Sequence, residues 1–290
     1  MTVRPAARNM GASVRQRLLN LSRAGGPPFN ILLTRYVLER LLYRLTLTPH
    51  ASRFILKGAM LVTTWFPDPH RQTRDVDLLG FGDPDPDAIL AAFQEICAIQ
   101  LDDGVEINAA GLRVNLIREA LEYGGLRLRT TATVASARVN IVVDVGFGDA
   151  TEPGIEDVVL PVLLDQPAPR LLAYARETVI AEKFQAMVVL GLANSRYKDF
   201  YDLWVLSRAF TFYDDRLARA IRATFDRRGT EIPASPPDTL TQAFAGDPMK
   251  RQQWGRYIED LGSPNLDLSQ VISELAAFLM PQARRARSLS

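Results

Sequence analysis

The chain has 290 residues, 47% hydrophobic and 23% charged, with 34 cationic against 33 acidic side chains for a net charge of +1. That length supports a sizeable core in one two-lobed unit or two domains, and a charge so close to zero excludes a global field for nucleic acid, leaving only local patches. A single cysteine excludes an internal disulfide, and two histidines, His50 and His70, at no ligand or nucleophile-base spacing argue against zinc sites, Cys-His nucleophiles and Ser-His-Asp triads.

Residues 1–11 are polar and Arg-bearing with no apolar signal region, and no run is long and uncharged enough to span a membrane. A cytoplasmic protein is expected, with Cys97 a reduced core residue. Val14, Leu18, Leu19 and Leu21 predict a helix over 12–21, broken by Gly25-Gly26-Pro27-Pro28. Asn30 then opens a longer helix with Ile31, Leu32, Tyr36, Leu38, Leu41, Leu42 and Leu45 as its apolar stripe. Arg35, Glu39, Arg40 and Arg44 fall opposite, where the arginines either face RNA or form a solvated face paired to Glu39.

The next stretch carries the chemistry. Phe54–Leu56 reads as a short strand, Lys57-Gly58 as a turn and Ala59–Phe66 as the start of a helix ended by Pro67, Pro69 and His70. Gly58, lacking a side chain, is expected to let a phosphate approach outward-facing backbone N–H groups. Val76, Leu78 and Leu79 predict a second strand, whose period of two puts Asp75 and Asp77 on one face. Paired carboxylates repel unless a cation lies between them, which makes Asp75-x-Asp77 a candidate Mg²⁺ and nucleotide site, against the alternative of a solvated edge.

A Gly/Asp/Pro loop over 80–87 leads to a helix over 88–99 and strands over 105–107, 112–117, 127–134 and 139–145. Residues 127–134 alternate as a sheet with one wet face does, whereas 139–145 is nearly all apolar, as a central strand covered on both sides would be. Asp144 interrupts it, and burial obliges that carboxylate to pair with a cation or to meet the same metal as Asp75 and Asp77. Residues 149–169 read as a linker with one strand over 158–164, and the remainder as helical, over 177–192, 215–228, 247–261 and 267–279. Asn194-Ser195 caps a further helix, on which Asp199 and Asp202 share a face with Ser195 and Arg196. The tail Arg284-Arg285-Ala286-Arg287 reads as a disordered basic end.

Of the 34 cations only Lys57, Lys183, Lys198 and Lys250 are lysine, which suggests that lysine is retained where a compact ammonium is needed. Strand-borne aspartates, a third on a central strand, a glycine turn and an added lysine are the parts of two-metal nucleotidyl transfer. There the metals bridge the triphosphate and activate an acceptor hydroxyl, with Asp144 on the acceptor side.

The ordered series Ser13-Val14-Arg15, Leu33-Thr34-Arg35-Tyr36, Phe54–Leu61, Arg71-x-Thr73-x-Asp75-x-Asp77, Tyr123-Gly124-Gly125-Leu126-Arg127, Asp144–Asp149, Ala181-Glu182-Lys183 and Arg196-Tyr197-Lys198-Asp199-x-x-Asp202 resembles the AbiEii/AbiGii-type nucleotidyltransferase toxins of toxin–antitoxin and abortive-infection systems, within the polymerase-β-like superfamily. The resemblance spans nearly the whole chain. It implies an α+β fold, a polymerase-β-like mixed sheet flanked by helices over 1–165, with a C-terminal helical lobe over 166–290 completing a cleft. It implies that Asp75 and Asp77 bind metal, that Lys183 binds the triphosphate and that Asp199 is essential. The nucleotide is then expected against Lys57, Gly58, Ala59, Arg71, Thr73, Lys183, Arg196, Lys198 and Asp202, and the metal against Asp75, Asp77 and Asp144. Mg²⁺, with Mn²⁺ able to replace it, is the implied cofactor, an NTP the substrate, and tRNA or another RNA the acceptor. A cognate antitoxin protein encoded nearby is the implied partner, and no membrane is involved.

One departure is Gly58-Ala59 where the superfamily usually carries Gly-Ser or Gly-Gly, which removes a hydroxyl donor and keeps the backbone N–H groups. Two other readings share these residues: an antibiotic-type nucleotidyltransferase with a small-molecule acceptor, and a non-catalytic nucleotide-binding partner protein. If RNA is the acceptor, we expect it between Arg196 and Lys198 on one wall and Arg35, Arg40 or Arg44 on the other.

Overall fold

Asn9 opens the first helix, α1 (Met10–Arg23), by accepting the Ala12 N–H at 3.0 Å. The computed structural model describes residues 9–66, 73–117, 124–212, 215–262 and 265–289, in two units: Met1–Gly148 with Glu156–Ala173, and Asp149–Ile155 with Tyr174–Ser290. Beyond α1, the first unit holds α2 (Phe29–Thr46), β1 (Phe54–Lys57), α3 (Gly58–Val62), β2 (Val76–Gly80), α4 (Pro86–Ala98), β3 (Val105–Ile107), β4 (Arg113–Ile117), β5 (Gly125–Val134), β6 (Ala137–Phe147), β7 (Ile155–Val159) and β8 (Arg170–Tyr174). Asp85 caps α4 through the Ala88 N–H at 2.8 Å, with Pro86 at the first helical position, where its missing donor is harmless.

The eight strands form one mixed sheet in the order β3-β5-β6-β2-β1-β8-β7, with β4 paired to β5. β1 and β2 are antiparallel, β2 and β6 parallel, β5 and β6 antiparallel, and β8 joins β1 in parallel through Leu56 and Ala173. β6 is central, as expected, yet only one of its faces is fully covered: Val139, Ile141, Val143 and Val145 are buried, while Asn140 is exposed and Val142 and Asp144 are half-buried. The strand expected over 158–164 lies at Ile155–Val159, and the part read as helical beyond residue 169 opens instead with a strand, β8. Its five residues, following Pro167 and Pro169, are too few to show alternation. The division expected at residue 165 accordingly falls at 173, with 149–155 in the second unit.

The arginine face expected on α2 is not a surface. Arg40 and Arg44 are each 1% exposed and converge on Asp103, also 1% exposed, by Arg40 Nε at 3.0 Å and Arg44 Nη1 at 2.7 Å. The same guanidiniums donate to the carbonyls of Pro167, Ile99 and Val105, so their charge and their N–H groups are both satisfied internally. Glu39 is fully buried, accepting from Arg35 Nε at 2.9 Å and from the Leu163 N–H at 3.0 Å. Cys97 is buried as expected, and that burial pushes its thiol up to about 12.

The second unit is helical: α5 (Arg176–Leu190), α6 (Tyr197–Ala209), α7 (Arg216–Arg227), α8 (Gln242–Gly246), α9 (Pro248–Asp260) and α10 (Leu268–Ser288). Asp247 and Asp267 cap α9 and α10, each accepting two backbone N–H groups. α10 passes through Pro281 and takes in the tail read as disordered, because Ala283 and Ala286 bury completely and Arg285 pairs with Asp215 at 3.2 Å. Among the described residues, no helix is long and apolar enough to cross a membrane.

Candidate active site

In the first unit, strand register assembles one transverse row of polar side chains. Lys57 on β1 lies opposite Asp77 on β2, Asp77 opposite Asp144 on β6, Asp144 opposite Arg127 on β5, and Arg127 opposite Asn115 on β4. Flanking residues Val76, Leu78, Val143, Val145, Leu126 and Leu128 point into the core, so the row stands on the opposite face. Strands pair roughly 4.8 Å apart, so Asp77 and Asp144 bring two carboxylates side by side.

Asp144 answers the requirement placed on a carboxylate in this strand by pairing with a cation: Arg127 Nε donates to its Oδ1 at 2.7 Å and Nη2 to its Oδ2 at 2.5 Å. Asp75 precedes β2 by one residue and accepts from Thr73 Oγ1 at 2.9 Å, so the nearly buried Thr73 orients a carboxylate instead of presenting its hydroxyl to a ligand. Gly58 has φ +68°, and a Cβ built on it would collide with the Asp77 carboxylate. The space expected for a phosphate is therefore held by Asp77, and glycine is required both for the left-handed backbone and for this close approach. Ala59 is 7% exposed, which leaves its methyl in the core. Arg71 lies outside the described residues.

The second unit gathers residues that sequence places far apart. Lys183 Nζ, on α5, lies 2.6 Å from Asp199 Oδ1 and 2.9 Å from Asp202 Oδ2, both on α6. Arg196, the N-cap of α6, places Nε 2.7 Å from Asp199 Oδ2. Asp199 and Asp202 are 1% and 3% exposed. Burial drives the Asp199 carboxyl upward, but Lys183 and Arg196 outweigh it and hold it below the ordinary carboxylate range. Asn194 Oδ1 accepts the Arg196 N–H at 2.8 Å, fixing the turn into α6, and Lys198 is exposed.

Two features were not foreseen as site residues. Arg127 was legible only as part of a motif, yet the two-residue turn Ala135-Ser136, counted outward in equal steps from the Val134 and Ala137 pair, sets it opposite Asp144. Ala135 takes φ 52° there without the usual glycine or asparagine signal. The second feature is a half-buried knot in which Arg228 Nη2 meets Asp149 at 3.0 Å and Glu182 at 2.8 Å, with the buried Tyr174 placing its Oη 3.1 Å from Asp149. Burial, reinforced by Glu182 and Asp149, lifts the Tyr174 hydroxyl well above its ordinary range.

The sequence model of a family described as nucleotidyl transferase AbiEii toxin, type IV toxin–antitoxin system, matches residues 40–279. The chain belongs to this AbiEii family. Among solved structures, this AbiEii-family chain is similar to a Helicobacter pylori protein provisionally assigned as a nucleotidyltransferase, at 13% identity and TM-score 0.50, covering 91% of this chain and 99% of that one. It is also similar to JHP933 from Helicobacter pylori, at 13% identity and TM-score 0.48, covering 89% and 93%. The first likeness supports the fold: a mixed sheet flanked by helices, as the α+β expectation had it. No curated protein matches.

The AbiEii-family donor set suits a hard divalent cation. Asp77 and Asp144 share a row, Asp75 lies two residues before Asp77, and all three offer carboxylate oxygens and no sulfur or imidazole. Among the described residues no three His, Cys, Asp or Glu side chains form a ready-made cluster, and both Asp144 oxygens are turned to Arg127.

Proposed function

We propose that this AbiEii-family protein is a cytoplasmic Mg²⁺-dependent nucleotidyltransferase that moves an NMP unit from an NTP onto an RNA 3′ hydroxyl, tRNA being the preferred acceptor, and that a cognate antitoxin neutralises it. The observation that carries this reading is the register of Asp77 with Asp144, which sets two carboxylates side by side on one sheet face with Asp75 close in sequence. Transfer forms a bond from the acceptor oxygen to the α-phosphorus and breaks the α–β anhydride, releasing pyrophosphate.

Asp75 and Asp77 would hold the metal, with Asp144 beside them. A divalent cation bound there would neutralise triphosphate charge and favour the acceptor oxygen as nucleophile. The chain's own contribution is to fix these ligands: Thr73 orients Asp75, Gly58 admits the Asp77 carboxylate, and Arg127 orients Asp144. Lys183 supplies a compact ammonium for phosphate, its position set by Asp199 and Asp202. Arg40 and Arg44, being buried, take no part in acceptor binding, so the acceptor contacts fall to exposed cations such as Arg196 and Lys198.

Incubation with each labelled NTP, Mg²⁺ and total RNA tests the reading. Label in a tRNA-sized band is expected. Label confined to an added small acceptor would favour the antibiotic-type alternative, and no label with any NTP would favour a non-catalytic protein.

A further inference from the structure

The row on the first unit's sheet sets a third carboxylate beside the metal-binding pair and then ties it down. Arg127 grips both oxygens of Asp144 in a two-point fork, the geometry in which a guanidinium binds a carboxylate most tightly. On its other side Asp144 is in register with Asp77, so two negative charges stand on adjacent strands, an arrangement that is unfavourable unless a cation is close. In this arrangement Arg127 supplies that cation to Asp144, while Lys57 stands opposite Asp77 on the other side of the pair. A carboxylate with both oxygens engaged is a poorer ligand for a divalent ion, since the ion must share it or displace the guanidinium. The Arg127 side chain is 36% exposed and that of Asp144 17%, so the fork has solvent into which it can open.

We propose that Arg127 is a positioning residue that acts as an internal counter-ion, withholding Asp144 from the metal until nucleotide phosphates draw the fork away. A guanidinium released in this way suits bidentate contact with a phosphate. Two consequences follow: the protein without nucleotide binds free divalent cation weakly, and metal loading is coupled to nucleotide arrival. The inference rests on the reading of Asp77 as a metal ligand, and its test separates the two.

The experiment is Mn²⁺ binding to the full chain, followed by electron paramagnetic resonance, with and without a non-hydrolysable NTP analogue, for the wild type, Arg127→Gln, Arg127→Lys and Asp77→Asn. Without nucleotide, Arg127→Gln is expected to bind Mn²⁺ roughly tenfold more tightly than the wild type, the scale of one charge-assisted pair. Arg127→Lys, which keeps the charge and loses the fork, should fall between, and the analogue should narrow both gaps. If Arg127→Gln does not fold, the intermediate tightening in Arg127→Lys carries the test by itself. Affinity unchanged or weakened in the Arg127 variants, with Asp77→Asn abolishing binding, overturns the counter-ion role alone. Binding retained in Asp77→Asn overturns the metal site and this inference with it.

Discussion

Single residues in this protein are constrained by what touches them more than by their type. Gly58 is the clearest case, since its backbone is left-handed and its missing side chain is the space that Asp77 occupies. Gly58→Ala should therefore lower thermal stability by about 1–3 kcal/mol and also displace the Asp77 carboxylate, which we propose binds the metal. Loss of divalent-cation binding in a variant that still melts cooperatively would report that displacement, and wild-type binding would refute it. Lys183 makes a second case, because it is the shared counter-ion of two buried aspartates. Lys183→Met should cost roughly 3–5 kcal/mol, the scale for stranding a buried charge. Adding Asp199→Asn and Asp202→Asn should restore much of that stability while leaving transfer abolished. Denaturant melts of the single and triple variants check this, and a single variant as stable as the wild type would mean the triad is not coupled.

Elements show where pattern reading succeeds and where it stops. Most helices and strands were legible because apolar periodicity and caps mark them, as Asp267 marks α10, whereas α4 begins at Pro86, capped by Asp85, two residues inside the stretch read as loop. The orientation of α2 was not legible. Its sequence has an apolar stripe facing a charged one, but Asp103, more than fifty residues away in sequence, reaches Arg40 and Arg44 and turns the charged side into core. No periodicity records a partner at that separation. Glu39 on the same helix gives a pH signature: burial, only partly offset by Arg35, raises its carboxyl from 4.5 to about 7. The folded chain thus binds this proton more tightly than the unfolded chain, so unfolding releases it and the stability it contributes falls as pH rises from about 4.5 to about 7. Glu39→Gln mimics the protonated form. Its stability relative to the wild type should improve by about 2–4 kcal/mol between pH 4.5 and pH 8, measured by thermal or denaturant melts. A pH-independent difference would place the Glu39 carboxyl in its ordinary range.

At the scale of the whole molecule, the family and the mixed sheet were readable from ordered motifs, and both stand. Asp77 lies on β2 where the period of two puts it, Asp75 falls one residue before that strand, and the grouping of Lys183 with Asp199 and Asp202 follows the motifs that carried the resemblance. What sequence could not give was which charges neutralise one another. Arg127 on Asp144 depends on hairpin register, and Arg40 with Arg44 on Asp103 depends on long-range packing. Burial of Arg40 and Arg44 against Asp103 removes both as a wall for RNA. The most direct test of the account is addition of labelled nucleotide to the 3′ end of purified tRNA, comparing the wild type with Asp77→Asn over a Mg²⁺ titration. The account predicts 3′ label that rises with Mg²⁺ in the wild type and is lost in a folded Asp77→Asn protein. Equal label in both proteins, or label that persists when Mg²⁺ is chelated, would contradict it.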